Sequence, residues 1–139
     1  MIGPMRKTLL LALPFAAGLA LALTAEAQPP PELIGKVGLH NAFRISLTFP
    51  NGRPVQSIPA GTYRIVVHDY SRIHNFALGS VTANRRIFTG SIRGIGTKSY
   101  TLDLQPGTYA YACSAHFQVM HGSFVVTATA ATSTGTTTG

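Results

Sequence analysis

The sequence predicts an all-β fold, a sandwich or barrel of several short strands. Apolar and polar residues alternate with a period of two in several short segments, and Gly and Pro turns separate these segments. After residue 28, no stretch of ten or more residues has the 3.6-residue period of an amphipathic helix. The 139 residues are 45% hydrophobic and 11% charged, which fits one folded domain and excludes a disordered polyelectrolyte.

At the N terminus, the sequence predicts a secretory signal peptide that ends at Ala27. Arg6 and Lys7 provide a basic start, an uncharged apolar-rich run covers residues 9–23, and Ala25 and Ala27 offer the small side chains of a cleavage site. This run is shorter than the roughly 20 residues that span a bilayer, so an uncleaved anchor is the less favoured alternative. We expect a periplasmic or otherwise exported protein without a membrane span after cleavage.

Basic residues outnumber acidic residues by 11 to 4, and the formal net charge is +7. Cleavage after Ala27 would leave nine basic and three acidic side chains, a charge of +6. The nine are scattered, and only Arg85 and Arg86 are adjacent, whereas nucleic-acid-binding proteins cluster such residues on one face. We therefore expect no nucleic-acid partner. The charge fits either a solvated basic surface or attraction of an acidic partner.

Two segments of biased composition border the predicted domain. Residues 28–33 form a Pro-rich leader, because the prolines at 29–31 favour an extended backbone that cannot begin the interior of a sheet. Residues 128–139 consist of Ala, Thr, Ser and Gly, which predicts a disordered tail. The folded domain is expected over residues 34–127.

Within that domain, alternation and turn signals locate the strands. Phe43, Ile45 and Leu47 alternate with polar residues and precede a Pro-Asn-Gly turn. A Pro-Ala-Gly turn and a Pro-Gly turn open two of the later strands. The expected strands are, in order, residues 43–48, 62–68, 97–104, 108–113 and 122–127.

One short segment concentrates side chains that bind metals. Cys113, His116 and Met120 lie within eight residues, where one predicted strand ends and the next begins. Two His and one Cys with a weak axial Met are diagnostic of blue copper sites used for electron transfer. His74, at the mouth of a strand, is the candidate for the second His. A single Cys excludes a disulfide framework and a thiolate-rich cluster.

These residues lie in motifs that resemble those of the cupredoxins, with the plastocyanin, amicyanin and pseudoazurin branch most similar. The resemblance covers roughly residues 34–127. It implies a Greek-key β-sandwich of about seven to eight strands that holds one copper ion near one end. The motifs are Gly61-Thr62-Tyr63, His74-Asn75-Phe76, Leu104-Gln105-Pro106-Gly107-Thr108-Tyr109-Ala110-Tyr111-Ala112-Cys113 and Cys113-x-x-His116-x-x-x-Met120-x-Gly122.

The resemblance also implies a role for each residue of the site. His74, Cys113 and His116 correspond to the equatorial copper ligands. Met120 corresponds to the axial ligand. Asn75 corresponds to a residue that ties the two ligand-bearing segments together by hydrogen bonds. The ring edge of His116 corresponds to the exposed port through which electrons pass.

One departure from the family pattern leaves an alternative open. Three residues separate His116 from Met120, whereas the family members compared have two or four. Met120 still precedes x-Gly, which supports its register, but a shift by one residue would make His121 the axial ligand.

His40 and His68 have no metal-like neighbours, and we expect surface or hydrogen-bonding roles for them.

The predicted site is compatible with three functions. We expect a soluble, monomeric electron carrier with one copper ion and redox protein partners, and no enzymatic activity. A periplasmic copper-binding or delivery protein with the same ligands is the alternative, and transfer of Cu(I) to an acceptor would distinguish it. A catalytic copper module is disfavoured because the sequence has no His-x-His pair, and no Ser-His-Asp set is present either.

Overall fold

The computed structural model describes residues 27–129, which form a nearly all-β domain. The all-β prediction is confirmed, although the domain has nine strands where about seven to eight were expected. A single 3-10 turn covers Leu39–Asn41. The strands are β1 (Glu32–Val37), β2 (Ile45–Thr48), β3 (Ser57–Pro59), β4 (Gly61–Asp69), β5 (Ala77–Ser80), β6 (Arg85–Thr89), β7 (Gly96–Leu104), β8 (Gly107–Ala112) and β9 (His121–Thr127).

Two predicted segments fall largely outside this part of the chain. The signal peptide, apart from Ala27, and the tail, apart from residues 128 and 129, lie outside the described residues. Within residues 27–129, no helix is both long enough and apolar enough to cross a membrane.

The folded region begins earlier than the sequence predicted. β1 starts at Glu32, inside the predicted Pro-rich leader, and the carbonyl of Pro31 accepts a hydrogen bond from the Arg64 amide at 3.0 Å. Phe43, in contrast, lies before β2 and is 54% exposed, so its place in the alternating pattern was wrong. β1 ends at Val37 because Gly38 and the 3-10 turn redirect the chain between β1 and β2.

The strands form a four-stranded sheet, in the order β2-β1-β4-β7, and a five-stranded sheet, in the order β3-β9-β8-β5-β6. β1 runs parallel to β4, and β3 runs parallel to β9; the other neighbouring strands are antiparallel. The chain changes sheet five times between consecutive strands, and one of these changes is the connection from β4 to β5. The segment that carries His74 is therefore one of the links between the two layers.

Apolar side chains from both sheets meet in one core. Leu33 and Ile65 come from the first sheet, and Leu78 and Phe124 come from the second; all four are buried. Burial of such side chains is the main favourable contribution to the folding of a small sandwich. At one side of the sandwich, the rings of Phe88 on β6 and Tyr100 on β7 stack with centroids 3.8 Å apart.

Candidate metal centre

Three of the predicted ligands converge at one end of the sandwich. The Nδ1 atoms of His74 and His116 are 3.1 Å apart. The Sγ atom of Cys113 lies 3.8 Å from Nδ1 of His74 and 3.5 Å from Nδ1 of His116. His74 and Cys113 are fully buried, and His116 is partly exposed. The three side chains therefore present two nitrogen atoms and one sulfur atom to a common point.

The spacing of these atoms fits a metal ion. A triangle with these sides has a point in its plane about 2.0 Å from each corner, close to the metal–nitrogen and metal–sulfur bond lengths of roughly 2.0–2.3 Å at protein zinc sites. Two imidazoles and a thiolate in a trigonal set are the ligands of blue copper sites. The residues present thus match the ligand chemistry that the sequence suggested.

Backbone hydrogen bonds hold together the loop between β8 and β9, which we call the Cys113 loop. The Cys113 amide donates to the Met120 carbonyl at 2.9 Å, and the His116 amide donates to the Cys113 carbonyl at 3.1 Å. The Met120 amide donates to the His116 carbonyl at 2.9 Å. The Met120 side chain is buried at this end of the core. These bonds fix the three residues relative to one another before any ion binds.

The register of β9 explains why a glycine follows Met120 by two residues. Gly122 lies opposite Tyr111 of β8, and a Cβ atom on Gly122 would overlap the Tyr111 ring. The same ring stacks on Phe76 with centroids 5.5 Å apart. Burial raises the pKa of Tyr111, which keeps the phenol protonated. The absence of a side chain at Gly122 lets the Tyr111 ring lie across β9.

A short hydrogen-bonded network shapes the link that carries His74. The Ser71 amide donates to Oδ1 of Asp69 at 3.0 Å, and the Ser71 hydroxyl donates to Oδ1 of Asn41 at 2.9 Å. The Ile73 amide donates to the same hydroxyl at 3.2 Å. Burial raises the pKa of Asp69, and the bond from Ser71 opposes this effect. Nε2 of His74 lies 3.5 Å from the Asn41 carbonyl, so Nδ1 faces the centre.

Asn75 connects the two segments that carry the candidate ligands. Its Oδ1 accepts from the Ser114 amide at 2.8 Å and from the Ser114 hydroxyl at 3.2 Å. Its Nδ2 donates to the Gly90 carbonyl at 2.8 Å and to the Ser114 hydroxyl at 2.9 Å. Asn75 is buried, and Ser114 directly follows Cys113. Asn75 thus connects the segment that carries His74 with the segment that carries Cys113.

The remaining histidines lie outside the cluster. His121 is exposed at the start of β9, and its Nδ1 donates to the Phe117 carbonyl at 2.7 Å. Nδ1 of His68 lies 2.9 Å from the Thr97 hydroxyl, and His40 is exposed. Among the described residues, the grouping of potential ligand atoms contains neither His40, His68 nor His121.

Two residues at the site had no signal in the sequence. The first is Phe43, whose ring centroid lies 4.8 Å from those of both His74 and His116, edge to face in each case. Its place in an alternating segment suggested an inward-facing core residue instead. It covers the two imidazoles because the chain between β1 and β2 folds over the end of the sandwich.

The second is Gly38, which lies directly against the connection between β4 and β5 that carries His74, called the His74 loop below. Its φ of 68° is in the left-handed region that favours glycine. A Cβ atom here would stand 2.5 Å from Cβ of Ser71 and 3.0 Å from Cδ2 of His74. Gly38 therefore permits the close approach that sets the position of the His74 ring.

We expect Gly38→Ala to lower the free energy of unfolding by roughly 2–4 kcal/mol, since it adds a steric clash to the backbone strain. Gly52→Ala is the matched control, because Gly52 has a φ of 83° and a Cβ atom added there would meet no atom within 4 Å. Its cost should be about 1 kcal/mol from strain alone. Urea unfolding of both variants measures the difference, and equal losses would contradict the contact with the His74 loop.

No protein-family model matches this sequence, and no curated protein matches it either. Solved structures do. One structure of the copper protein rusticyanin matches with a TM-score of 0.54 at 18% identity over 68% of this chain and 76% of its own. Rusticyanin from Thiobacillus ferrooxidans matches with a TM-score of 0.53 at 16% identity over 68% of this chain and 75% of its own.

A third similar structure comes from another bacterium. Auracyanin A, a "blue" copper protein from the green thermophilic photosynthetic bacterium Chloroflexus aurantiacus, matches with a TM-score of 0.50 at 19% identity over 70% of this chain and 99% of its own. At identities this low, the structural similarity establishes the fold alone. The chain has the cupredoxin fold, and His74, Cys113, His116 and Met120 form a ligand set of the cupredoxin type.

Proposed function

We propose that this protein is an exported, mononuclear blue copper protein that carries electrons. The observation that carries the proposal is the triangle of two imidazole nitrogens and one thiol sulfur, with sides of 3.1, 3.5 and 3.8 Å. In this assignment His74, Cys113 and His116 are equatorial ligands and Met120 is the axial ligand. Export is proposed from the N-terminal sequence, because the signal peptide itself lies outside the described residues.

The chain's own residues are arranged to hold ligands still. Copper, when bound, supplies a one-electron change between Cu(I) and Cu(II). The two oxidation states prefer different geometries, so ligands that cannot move reduce the reorganisation on electron transfer. The backbone bonds of the Cys113 loop and the bonds of Asn75 to Ser114 provide that stiffness. His116, which is partly exposed, gives electrons a route to the surface.

Burial of the site supports a carrier over a delivery protein. His74 and Cys113 have no exposed surface, and Met120 is nearly as buried. An acceptor protein would have to displace these ligands to take Cu(I), whereas a carrier only has to approach the exposed part of His116. We expect the copper-loaded protein to keep its metal during hours of contact with a Cu(I) chelator. Rapid loss to the chelator would favour the delivery alternative.

The visible spectrum after addition of Cu(II) tests the proposed function directly. We expect one copper per chain and an intense band towards the red end of the spectrum, since a short bond from thiolate to Cu(II) gives charge transfer there. The band should disappear on reduction and return on oxidation. Copper binding without this band would contradict the blue copper proposal, and a colourless site that holds only Cu(I) would point to delivery.

A pair of variants tests the axial assignment. Met120→Leu should keep copper and the blue colour but raise the reduction potential, because loss of a weak donor disfavours Cu(II). His121→Ala should change neither, since its ring bonds to the Phe117 carbonyl. Voltammetry and the spectrum of both variants are the measurement. Loss of colour in His121→Ala with Met120→Leu almost silent would show that the register differs by one residue.

A further inference from the structure

A cleft of about 430 Å³ opens beside the candidate metal centre, between the β1–β2 connection and the end of the Cys113 loop. Its walls combine exposed apolar side chains with cations. Leu39, Phe43 and Val119 supply the apolar surface, and Lys36 and Arg44 supply the positive charge. Clefts of this size and composition are typical of binding sites, in which apolar surface supplies affinity and a few polar groups fix orientation. We call it the basic cleft.

The cations of the basic cleft have no carboxylate to neutralise them among the described residues. Glu32 pairs with Arg64 at 2.9 Å. Asp69 accepts from Ser71, and Asp103 accepts from Gln105 at 2.8 Å. Within residues 27–129 these are the three acidic side chains, and none lines the cleft. The local positive charge is therefore available to an anionic partner.

The wall of the basic cleft leads to the metal ligands. Phe43 lines the cleft, is 54% exposed, and contacts both His74 and His116 with its ring. A partner that packs on Phe43 would be separated from the two imidazoles by a single aromatic ring. The cleft thus offers a docking position close to the centre.

We propose that the basic cleft binds an acidic segment of a redox partner, with its carboxylates on Lys36 and Arg44 and an apolar side chain against Phe43 and Val119. The proposal rests on the carrier function proposed above and specifies the surface that the partner uses. Charge complementarity between such surfaces speeds association and selects the partner. A general attraction by the net positive charge would not distinguish this cleft from other basic surfaces.

Two charge-reversal variants separate these cases. Lys36→Glu with Arg44→Glu removes the cations of the cleft, and Arg85→Glu with Arg86→Glu makes the same change in net charge on β6, away from this cleft. The probe is a synthetic peptide of alternating Glu and Phe, titrated into the Cu(I)-loaded protein and followed by amide NMR. We expect shifts around Ser46 and Val119 and, in low salt, about tenfold weaker binding for the cleft variant only.

Equal weakening in both variants would overturn the proposal, because only net charge would then matter. Absence of peptide binding, with the same amides shifting as the protein is concentrated, would also overturn it and assign the cleft to a second copy of the chain. The carrier function is tested separately by reduction of the Cu(II) protein with hexacyanoferrate(II). Peptide binding without electron exchange would keep the cleft and reject the carrier, and exchange without peptide binding would do the reverse.

Discussion

Cys113→Ser is expected to abolish the intense visible band and to weaken copper binding by more than about 100-fold, beyond the loss that removal of an outer hydrogen-bond partner causes. Copper prefers soft sulfur ligands, and a serine hydroxyl is a hard, neutral ligand at ordinary pH. The Cys113 side chain is fully buried, and its Sγ atom lies 3.8 Å from Nδ1 of His74 and 3.5 Å from Nδ1 of His116. Visible spectroscopy and competition with a chelator measure the two effects.

Two controls make this result specific. Far-UV circular dichroism and thermal unfolding should show that Cys113→Ser keeps the fold, since the substitution changes one atom. Met120→Leu, which leaves the three equatorial candidates intact, should remain blue. A Cys113→Ser protein that keeps the band would show that Cys113 is not a copper ligand, and the proposed centre would be wrong.

Asn75→Leu should lower the free energy of unfolding by roughly 3–4 kcal/mol, because it strands buried hydrogen-bonding groups. The Gly90 carbonyl and the Ser114 amide would both lose their partner. Asn51→Ala is the matched control, since exposed Asn51 accepts one bond, from the Arg53 amide, and its loss should cost less than about 1 kcal/mol. Urea unfolding without metal compares the two.

The Asn75 link should also affect the metal centre. Without it the Cys113 segment is held less firmly against the His74 segment, so we expect slower electron exchange in the copper-loaded protein. Ser114→Ala removes only the hydroxyl contacts and should lie between wild type and Asn75→Leu. An Asn75→Leu protein as stable as the Asn51→Ala control would contradict the role assigned to this side chain.

Sequence reasoning located the longer strands because alternation accumulates over several residues. β4, β7, β8 and β9 were all predicted to within about two residues of their ends. β3, β5 and β6 have three to five residues each, which leaves few alternating positions, whereas four-residue β2 was found because the alternation already begins at Phe43. β1 was not predicted, because the three prolines before Glu32 suggested a leader over residues 28–33, whereas the strand begins directly after Pro31.

The sequence could predict only those residues of the candidate site whose side chains bind metals. Cys113, His116 and His74 were found because their side chains bind metals, and the structure brings them together. Their assignment as copper ligands stays a prediction. Gly38 and Phe43 carry no such chemistry. Their roles depend on how the β1–β2 connection packs against another link of the sandwich, which no local pattern records.

The stack of Phe88 on Tyr100 affects how readily two copies of this protein can associate through their edge strands. β6 and β7 are edge strands, and such strands offer unpaired backbone groups to any other chain, a common start of aggregation. The stack draws the two edges together, and Arg85 and Arg86 on β6, with Lys98 on β7, place positive charge along them. A strand from a second copy would meet like charge there. The like charge along both edges therefore opposes edge-to-edge pairing of two copies.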